Sequence, residues 1–420
     1  MRRRFPDHEL SGMTVQEANP PAVALGGQAI AFPVLRSLAG AGVRVHCLGG
    51  RESPVRYSRH CAAYTDLGTK EGVQQRWLEW LIEDGPRGAV LLPCDDESLQ
   101  LTLRNRDALS SLGYVPIEAN DEVLRAMLDK ELTYEAARPA GIACPHTAAL
   151  RSVEDLDAVT AELAYPCALK PLRTNLFARQ FGIGNKLLVA ADEGELRDGL
   201  GRMLALGLEM MVTEIVPGSD EQLVSYCGYL DEHGEPLTHF TFRKLRQFPP
   251  HFGLGCYVVS DWNEEVIEEG LRFLRGVGLR GLFHVEFKRD ADDGRLKLLE
   301  CNHRFTIEAM FAPRDLALVT YNRLLGRPLP PERRYRSGLH LWNPIEDARS
   351  LRSYRRAGEW TRRRWLISLA HRQRFHAFRW DDPMPTIAYH LRWLWRVLRR
   401  RLGRGGESVP ATTREPLLPR

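Results

Sequence analysis

The sequence predicts a multidomain α/β protein, and three observations carry that expectation. A short apolar strand, Ala22–Leu25, passes through Gly26-Gly27 into a helical stretch that ends near Ala41, followed by a second strand over Val43–Leu48. This β-Gly-α-β unit is the opening of a parallel sheet. Another strand, Ala89–Leu92, ends in Pro93-Cys94-Asp95-Asp96-Glu97, with acids at the carboxyl edge where open α/β sheets take their ligands. Far downstream, two alternating strands flank Asp292-Asp293-Gly294, a hairpin signal that adds antiparallel pairing. A length of 420 residues suits two or three domains, and 44% hydrophobic with 27% charged residues excludes disordered and collagenous classes.

In chain order, residues 1–20 are polar and patternless, a flexible lead. The Gly26-Gly27 turn serves either packing or an anion at a helix start; the full GxGxxG spacing is absent. Asp129 is suited to cap a helix over Lys130–Arg138, which Pro139 and Gly141 terminate. An apolar strand then runs from Tyr165 to Lys170 and stops at Pro171, and the strand Met210–Val216 enters Pro217-Gly218-Ser219-Asp220-Glu221. Strands over Gln222–Leu230 and Leu237–Phe242 flank the turn Asp231–Gly234, and a capped helix covers Asn263–Val277. Eight scattered cysteines without a CxxC pair fit a reduced chain, the N-terminus lacks the apolar stretch of a signal peptide, and no apolar run is long enough to span a bilayer. Cytoplasmic residence is expected.

The segment from Leu282 to Arg304 carries the most chemistry. Pairing symmetric about Asp293 sets Glu286 opposite Glu300, their Cβ atoms roughly 5 Å apart on one face. Asn302 joins that face because strand side chains alternate, while Val285, Phe287, Leu299 and Cys301 form the opposite, core-facing side. Two opposed carboxylates on a half-buried sheet repel, so a positive charge should lie between them. Three hard oxygen donors suit Mg²⁺ shared with phosphate oxygens; a solvated acidic hairpin is the alternative.

These residues resemble a known family. Glu286 on its strand, followed by Glu300-Cys301-Asn302-His303-Arg304, is similar to the metal-binding signature of the ATP-grasp superfamily, E-(I/V/C)-N-x-R. Asp129-Lys130 before Gly141 and Pro145, Lys170 before Pro171, and Glu214 before Pro217-Gly218 resemble that superfamily's nucleotide-binding elements in the same order, over residues 20–330. Phe242-Arg243-Lys244-Leu245-Arg246-Gln247-Phe248-Pro249-Pro250 is similar to a segment of predicted carboxylate-amine ligases grouped with D-aspartate ligases.

The resemblance implies a Rossmann-like domain over 21–118, then a two-lobed ATP-grasp domain of α+β type over 119–330. Its nucleotide-clamping lobe would span 119–215 and its metal-binding lobe 216–330, with ATP and Mg²⁺ (or Mn²⁺) as cofactors. It also implies that Glu286, Glu300 and Asn302 hold metal, that Lys130 and Lys170 contact phosphates, and that Glu214, Ile215 and Val216 form the adenine hinge. Asp220 or Glu221 would accept ribose hydroxyls. Arg304 would stabilise the transferring phosphoryl group, with Lys244, Arg246 and Arg243 as cations for the carboxylate or phosphates and His284 in support. The chain departs from the family at the lid: Arg173–Gln180 is bulky, and glycines arrive only at Gly182 and Gly184, before Lys186.

The implied activity is an ATP-dependent ligase joining a small-molecule carboxylate to an amine through an acyl phosphate; the alternative is a non-catalytic nucleotide-binding scaffold or sensor. A region over 331–404, ahead of a flexible tail at 405–420, stands apart in charge. Between Arg349 and Arg404 lie sixteen arginines, no lysine and three acids, a net +13 that leaves −9 on the rest of a chain whose total is +4. Five of nine tryptophans fall there, and the final helix, Thr386–Leu402, repeats Ile387, Leu391, Leu394, Trp395, Leu398 and Leu402 at helical spacing. That stripe is expected to pack on the acidic body or a protein partner ahead of an anionic membrane at the inner face; nucleic acid is not expected.

Overall fold

The computed structural model describes residues 19–26, 28–69, 71–118, 120–172 and 187–402. Most of the lead, Gly27, the segment holding Arg173–Lys186 and the tail from residue 403 lie outside the described residues. Strands β1 (Ala22–Leu25), β2 (Val45–Gly49), β3 (Ala63–Asp66) and β4 (Val90–Pro93) form an all-parallel sheet in the order β3-β2-β1-β4. The strands read as unbroken apolar runs because both faces are covered. Helix Ala31–Gly40 lays Phe32, Val34, Leu35 and Leu38 on Ala22, Ala24 and Val45, while helix Val73–Glu83 sets Trp77, Trp80 and Leu81 against Val23, Leu25 and Leu91.

Gly26 settles the open question about its turn. It adopts φ +68°, and a Cβ there would stand 2.1 Å from Asp95 Oδ2. The room it leaves is taken by a carboxylate of the protein's own: Asp95 caps helix Asp96–Arg104, its Oδ1 accepting from the Ser98 amide at 2.9 Å.

A second sheet is antiparallel, with β5 (Thr147–Leu150), β6 (Cys167–Pro171), β7 (Leu188–Ala190) and β8 (Met210–Glu214) ordered β5-β8-β6-β7. Helix Glu193–Ala205 covers it through Leu196, Leu200 and Met203. The third sheet has seven strands: β9 (Leu223–Leu230), β10 (Pro236–Phe248), β11 (Leu254–Ser260), β12 (Gly281–Arg289), β13 (Leu296–Asn302), β14 (His340–Trp342) and β15 (Gln373–Phe375). Their order is β13-β12-β9-β10-β11-β14-β15, antiparallel except for the last pair. Helix Glu264–Gly276, capped by Asn263, buries Val266, Ile267 and Phe273 against Val285, Phe287 and Leu298. Each such side chain contributes roughly 1.5–3 kcal/mol of transfer free energy.

Two expectations about the basic region change here. Strands β14 and β15 both come from beyond residue 330, so the seven-stranded sheet continues into that region rather than ending before it. Buried ion pairs fix it: Asp382 receives Arg36 Nε at 3.0 Å and Ser58 Oγ at 2.7 Å. The final helix, Met384–Leu402, starts as expected but turns the other way round. Its contact with the body is made by Pro385 and Arg392, whose Nη1 donates to Arg51 O at 3.1 Å, while Ile387, Leu391 and Leu394 face outward. Sequence periodicity locates a stripe on a helix but does not orient it.

Candidate active site

The hairpin pairs as its sequence predicts at the point that matters. Glu286 stands opposite Glu300, Val285 opposite Cys301 and His284 opposite Asn302. A bulge after Glu286 then shifts the register by one, pairing Phe287 with Leu298. The core position expected of Leu299 is therefore held by the fully buried Leu298. The Leu299 carbonyl is left to accept from Tyr134 Oη at 2.8 Å. Tyr134 lies one turn after Lys130 on helix Lys130–Ala137, whose N-terminus Asp129 caps through the amides of Glu131 and Leu132. That contact brings the helix bearing Lys130 against the carboxylate hairpin.

A positive charge does stand against the pair, on the Glu286 side: Lys244. It sits on β10, two strands across the sheet from β12, and reaches across β9, so that Nζ lies 2.5 Å from Glu286 Oε2 with both side chains 9% exposed. Burial disfavours the ammonium, but Glu286, with Glu300 and Glu308 behind it, outweighs that and raises the Lys244 pKa above its ordinary value. Glu308 joins the group from the short helix Ile307–Phe311; burial pushes its pKa up despite hydrogen bonding and the nearby ammonium. Nothing in sequence marked Glu308, because it follows the signature on an irregular turn. His284 is pushed down to about 3 by burial and is neutral at physiological pH. Its two ring nitrogens and Ser225 Oγ are buried without a hydrogen-bond partner among the described residues.

Asn302 Nδ2 donates to Glu300 Oε1 at 3.0 Å, leaving its carbonyl oxygen near Arg304 Nη2 at 3.5 Å. Arg304 Nε in turn lies 2.5 Å from Asp96 Oδ1. The acids at the carboxyl edge of β4 and the carboxylate hairpin thus meet through one guanidinium, which ties the leading domain to this face. Among the described residues no three His, Cys, Asp or Glu side chains form a metal-holding group. The candidate donors, Glu286, Glu300 and Asn302, are two carboxylates and an amide oxygen.

The remaining expected residues divide. Lys170 is half-buried on β6, beside Met211 of β8. At the end of β8, Glu214 accepts from the His146 amide at 3.0 Å and pairs with Lys297 at 2.6 Å; past the half-buried Ile215, the Val216 carbonyl accepts from Lys288 Nζ at 2.8 Å. Arg243 pairs with Asp261 at 3.1 Å.

Three residues are not where sequence put them. Arg246 has no exposed surface; it binds Asp347 through two nitrogens, at 2.5 and 2.9 Å, and stacks on the rings of Tyr257 and Trp360. The reason is a bulge: Lys244 faces Val258 but Arg246 faces Tyr257, so the extra residue turns Arg246 to the opposite side from Lys244. Asp220 is likewise buried, accepting from the His251 amide at 3.1 Å and from the Tyr354 hydroxyl, and so is closed to a ribose. Glu221, half-exposed, is held by Arg364 at 2.9 Å. Tyr354 and Arg364 both belong to the basic region, which occupies acids that were expected to meet a nucleotide.

No family model matches the chain. The D-aspartate ligase of Enterococcus faecium is 25% identical over 257 residues, covering 58% of this chain and 61% of that ligase, so the chain spans less than two thirds of that relative's length. The biotin carboxylase domain of Hydrogenobacter thermophilus 2-oxoglutarate carboxylase, solved with MgADP, ADP and bicarbonate, superposes with a TM-score of 0.58 at 16% identity, covering 76% of this chain and 73% of that one. An N5-carboxyaminoimidazole ribonucleotide synthetase in its ADP complex gives 0.58 at 16% identity, over 80% and 86% of the two chains. The fold is that of the ATP-grasp superfamily. A third ATP-grasp structure, the L-amino acid ligase from Bacillus licheniformis, gives 0.53 at 14% identity over 75% of each chain.

Proposed function

We propose that the chain is an ATP- and Mg²⁺-dependent ligase that joins a small-molecule carboxylate to an amine and releases ADP and phosphate. The observation that carries this reading is the opposed pair Glu286 and Glu300, with Asn302 on the same face and the Lys244 ammonium against Glu286. Two carboxylates and an amide oxygen fit Mg²⁺, which takes few protein ligands and shares the rest with phosphate and water. The nitrogens of His284 and the Ser225 hydroxyl, unpartnered among the described residues, are polar groups that a bound ligand or its water would satisfy. Bound there, Mg²⁺ would neutralise charge on the phosphate oxygens.

The chain's own residues supply positioning and electrostatics, which is most of what phosphoryl transfer needs. Glu286, Glu300 and Asn302 would hold the metal. Lys130 and Lys170 approach phosphates from the clamping lobe, with Glu214, Ile215 and Val216 offering hinge backbone to the base. Arg304 presents a planar fork to the transferring phosphoryl group, oriented by Asp96, and Lys244 balances the carboxylates. The substrate carboxylate attacks the terminal phosphorus and displaces ADP; the amine then attacks the acyl carbon and displaces phosphate. The likeness to a D-aspartate ligase and an L-amino acid ligase supports amino-acid substrates. Eight cysteines, all unpaired, support a reducing, cytoplasmic setting.

An ADP-release screen over amino-acid carboxylate and amine pairs, run beside Glu300→Gln, tests the reading. At least one pair should raise ADP release in the wild type and not in the variant. ATP binding with no pair exceeding the variant would sink it.

A further inference from the structure

The last helix is attached to the protein by the side that sequence would assign to water. Pro385 is buried and Arg392 packs its guanidinium over the Tyr57 ring at 5.0 Å, so the segment Pro54–Tyr57 meets the polar flank of the helix. Ile387, Leu391 and Leu394 point away. Leu391 is 61% exposed, Leu394 47% and Ile387 42%, and just before the helix Trp380 is 89% exposed. On an α-helix, positions 384, 387, 391 and 394 follow the three- and four-residue spacing of a single face. A cation over the Tyr57 ring and one bond to the Arg51 carbonyl hold the side that touches the body, and leave Ile387, Leu391 and Leu394 in water.

We propose that this face seats the protein on a lipid bilayer with anionic headgroups. No acid occurs between Pro383 and Leu402, and the surrounding region is rich in arginine, the charge complement of such a surface. A second copy of the chain is a poorer occupant, because mating two stripes would bring two strongly cationic regions together. The helix lies on the bilayer rather than through it: no described helix is long and apolar enough to cross a membrane. Trp380, four residues before the helix, is an amphipathic ring of the kind that settles at the headgroup level. This inference stands on surface chemistry alone and is independent of the ligase reading.

Flotation of the full chain with phosphatidylglycerol vesicles, phosphatidylcholine vesicles and none tests it, with the Leu391→Glu/Leu394→Glu double variant and Trp380→Ser alongside. All three side chains are exposed, so unfolding midpoints should match the wild type. The wild type should float with the anionic vesicles only. Recovery should fall about ten-fold in the double variant, less in Trp380→Ser, and in high salt as headgroup charge is screened. Equal recovery of wild type and double variant, or no flotation of the wild type, overturns the proposal. So does a self-association, seen by sedimentation velocity, that the double variant abolishes while neither protein floats.

Discussion

Replacing Lys244 with methionine removes one charge from a site that has little water to replace it. At 2.5 Å and an effective dielectric of about 20, the attraction between Nζ and the Glu286 carboxylate is roughly 7 kcal/mol before desolvation is counted. Burying both ions consumes much of that, so the pair's net worth is small, but deleting one partner strands the other. Lys244→Met should therefore lower unfolding free energy by about 3–5 kcal/mol in urea titrations. Glu300, directly opposite Glu286, keeps the loss toward the upper part of that range. Glu286→Gln in the same background should restore a large part, giving a coupling of about 2 kcal/mol or more in the double-mutant cycle. Mg²⁺ should also recover more stability in Lys244→Met than in wild type, since it supplies charge to the same carboxylates. Additive effects within about 0.5 kcal/mol, with no Mg²⁺ response, would refute the picture of one shared charge cluster.

Two further outcomes follow from other parts of the fold. His251 lies 3.0 Å from Glu359 and 3.5 Å from Asp220, and its pKa is raised by the Asp220 hydrogen bond against the opposing effect of burial. Its charged form favours the folded state, so its contribution is fully present below the unfolded value of 6.5 and is lost as pH rises through the higher folded value. The stability gap between wild type and His251→Gln should narrow from mildly acidic to alkaline pH, by under about 1 kcal/mol at this partly exposed position; a gap that does not change with pH contradicts it. Gly26→Ala should lower the melting midpoint by the equivalent of about 1–3 kcal/mol, because its φ of +68° and the 2.1 Å approach of Asp95 both oppose a Cβ; an unchanged midpoint would mean the turn relaxes freely.

What sequence could say depended on whether a contact was local. Glu286 opposite Glu300 was legible because Asp292-Asp293-Gly294 fixes the turn and strand side chains alternate with period two. The bulge behind it was not, since one inserted residue leaves the apolar pattern nearly unchanged and moves the core position from Leu299 to Leu298. The same physics separated Lys244 from Arg246: their spacing of two implies a shared face, and a bulge at Leu245 divides them. Asp220 was misread for another reason. Its partner Tyr354 is 134 residues away, and only tertiary structure shows the carboxylate already engaged.

Those long-range contacts give the basic region a meaning that its charge alone did not have. Tyr354 and Arg364 occupy Asp220 and Glu221 in the short turn ahead of β9, Asp347 holds Arg246 on the strand that carries Lys244, and Asp382 anchors the region to the leading domain through Arg36. The strand that delivers Lys244 to the carboxylates is therefore braced two residues later by the region that bears the exposed stripe. A body that needed only charge neutralisation could use arginines anywhere on its surface. Strands β14 and β15, two buried ion pairs and an outward-facing row of leucines instead fix the orientation of the last helix relative to the carboxylate cluster. The consequence is geometric: whatever surface receives the stripe meets the carboxylate cluster in one set orientation.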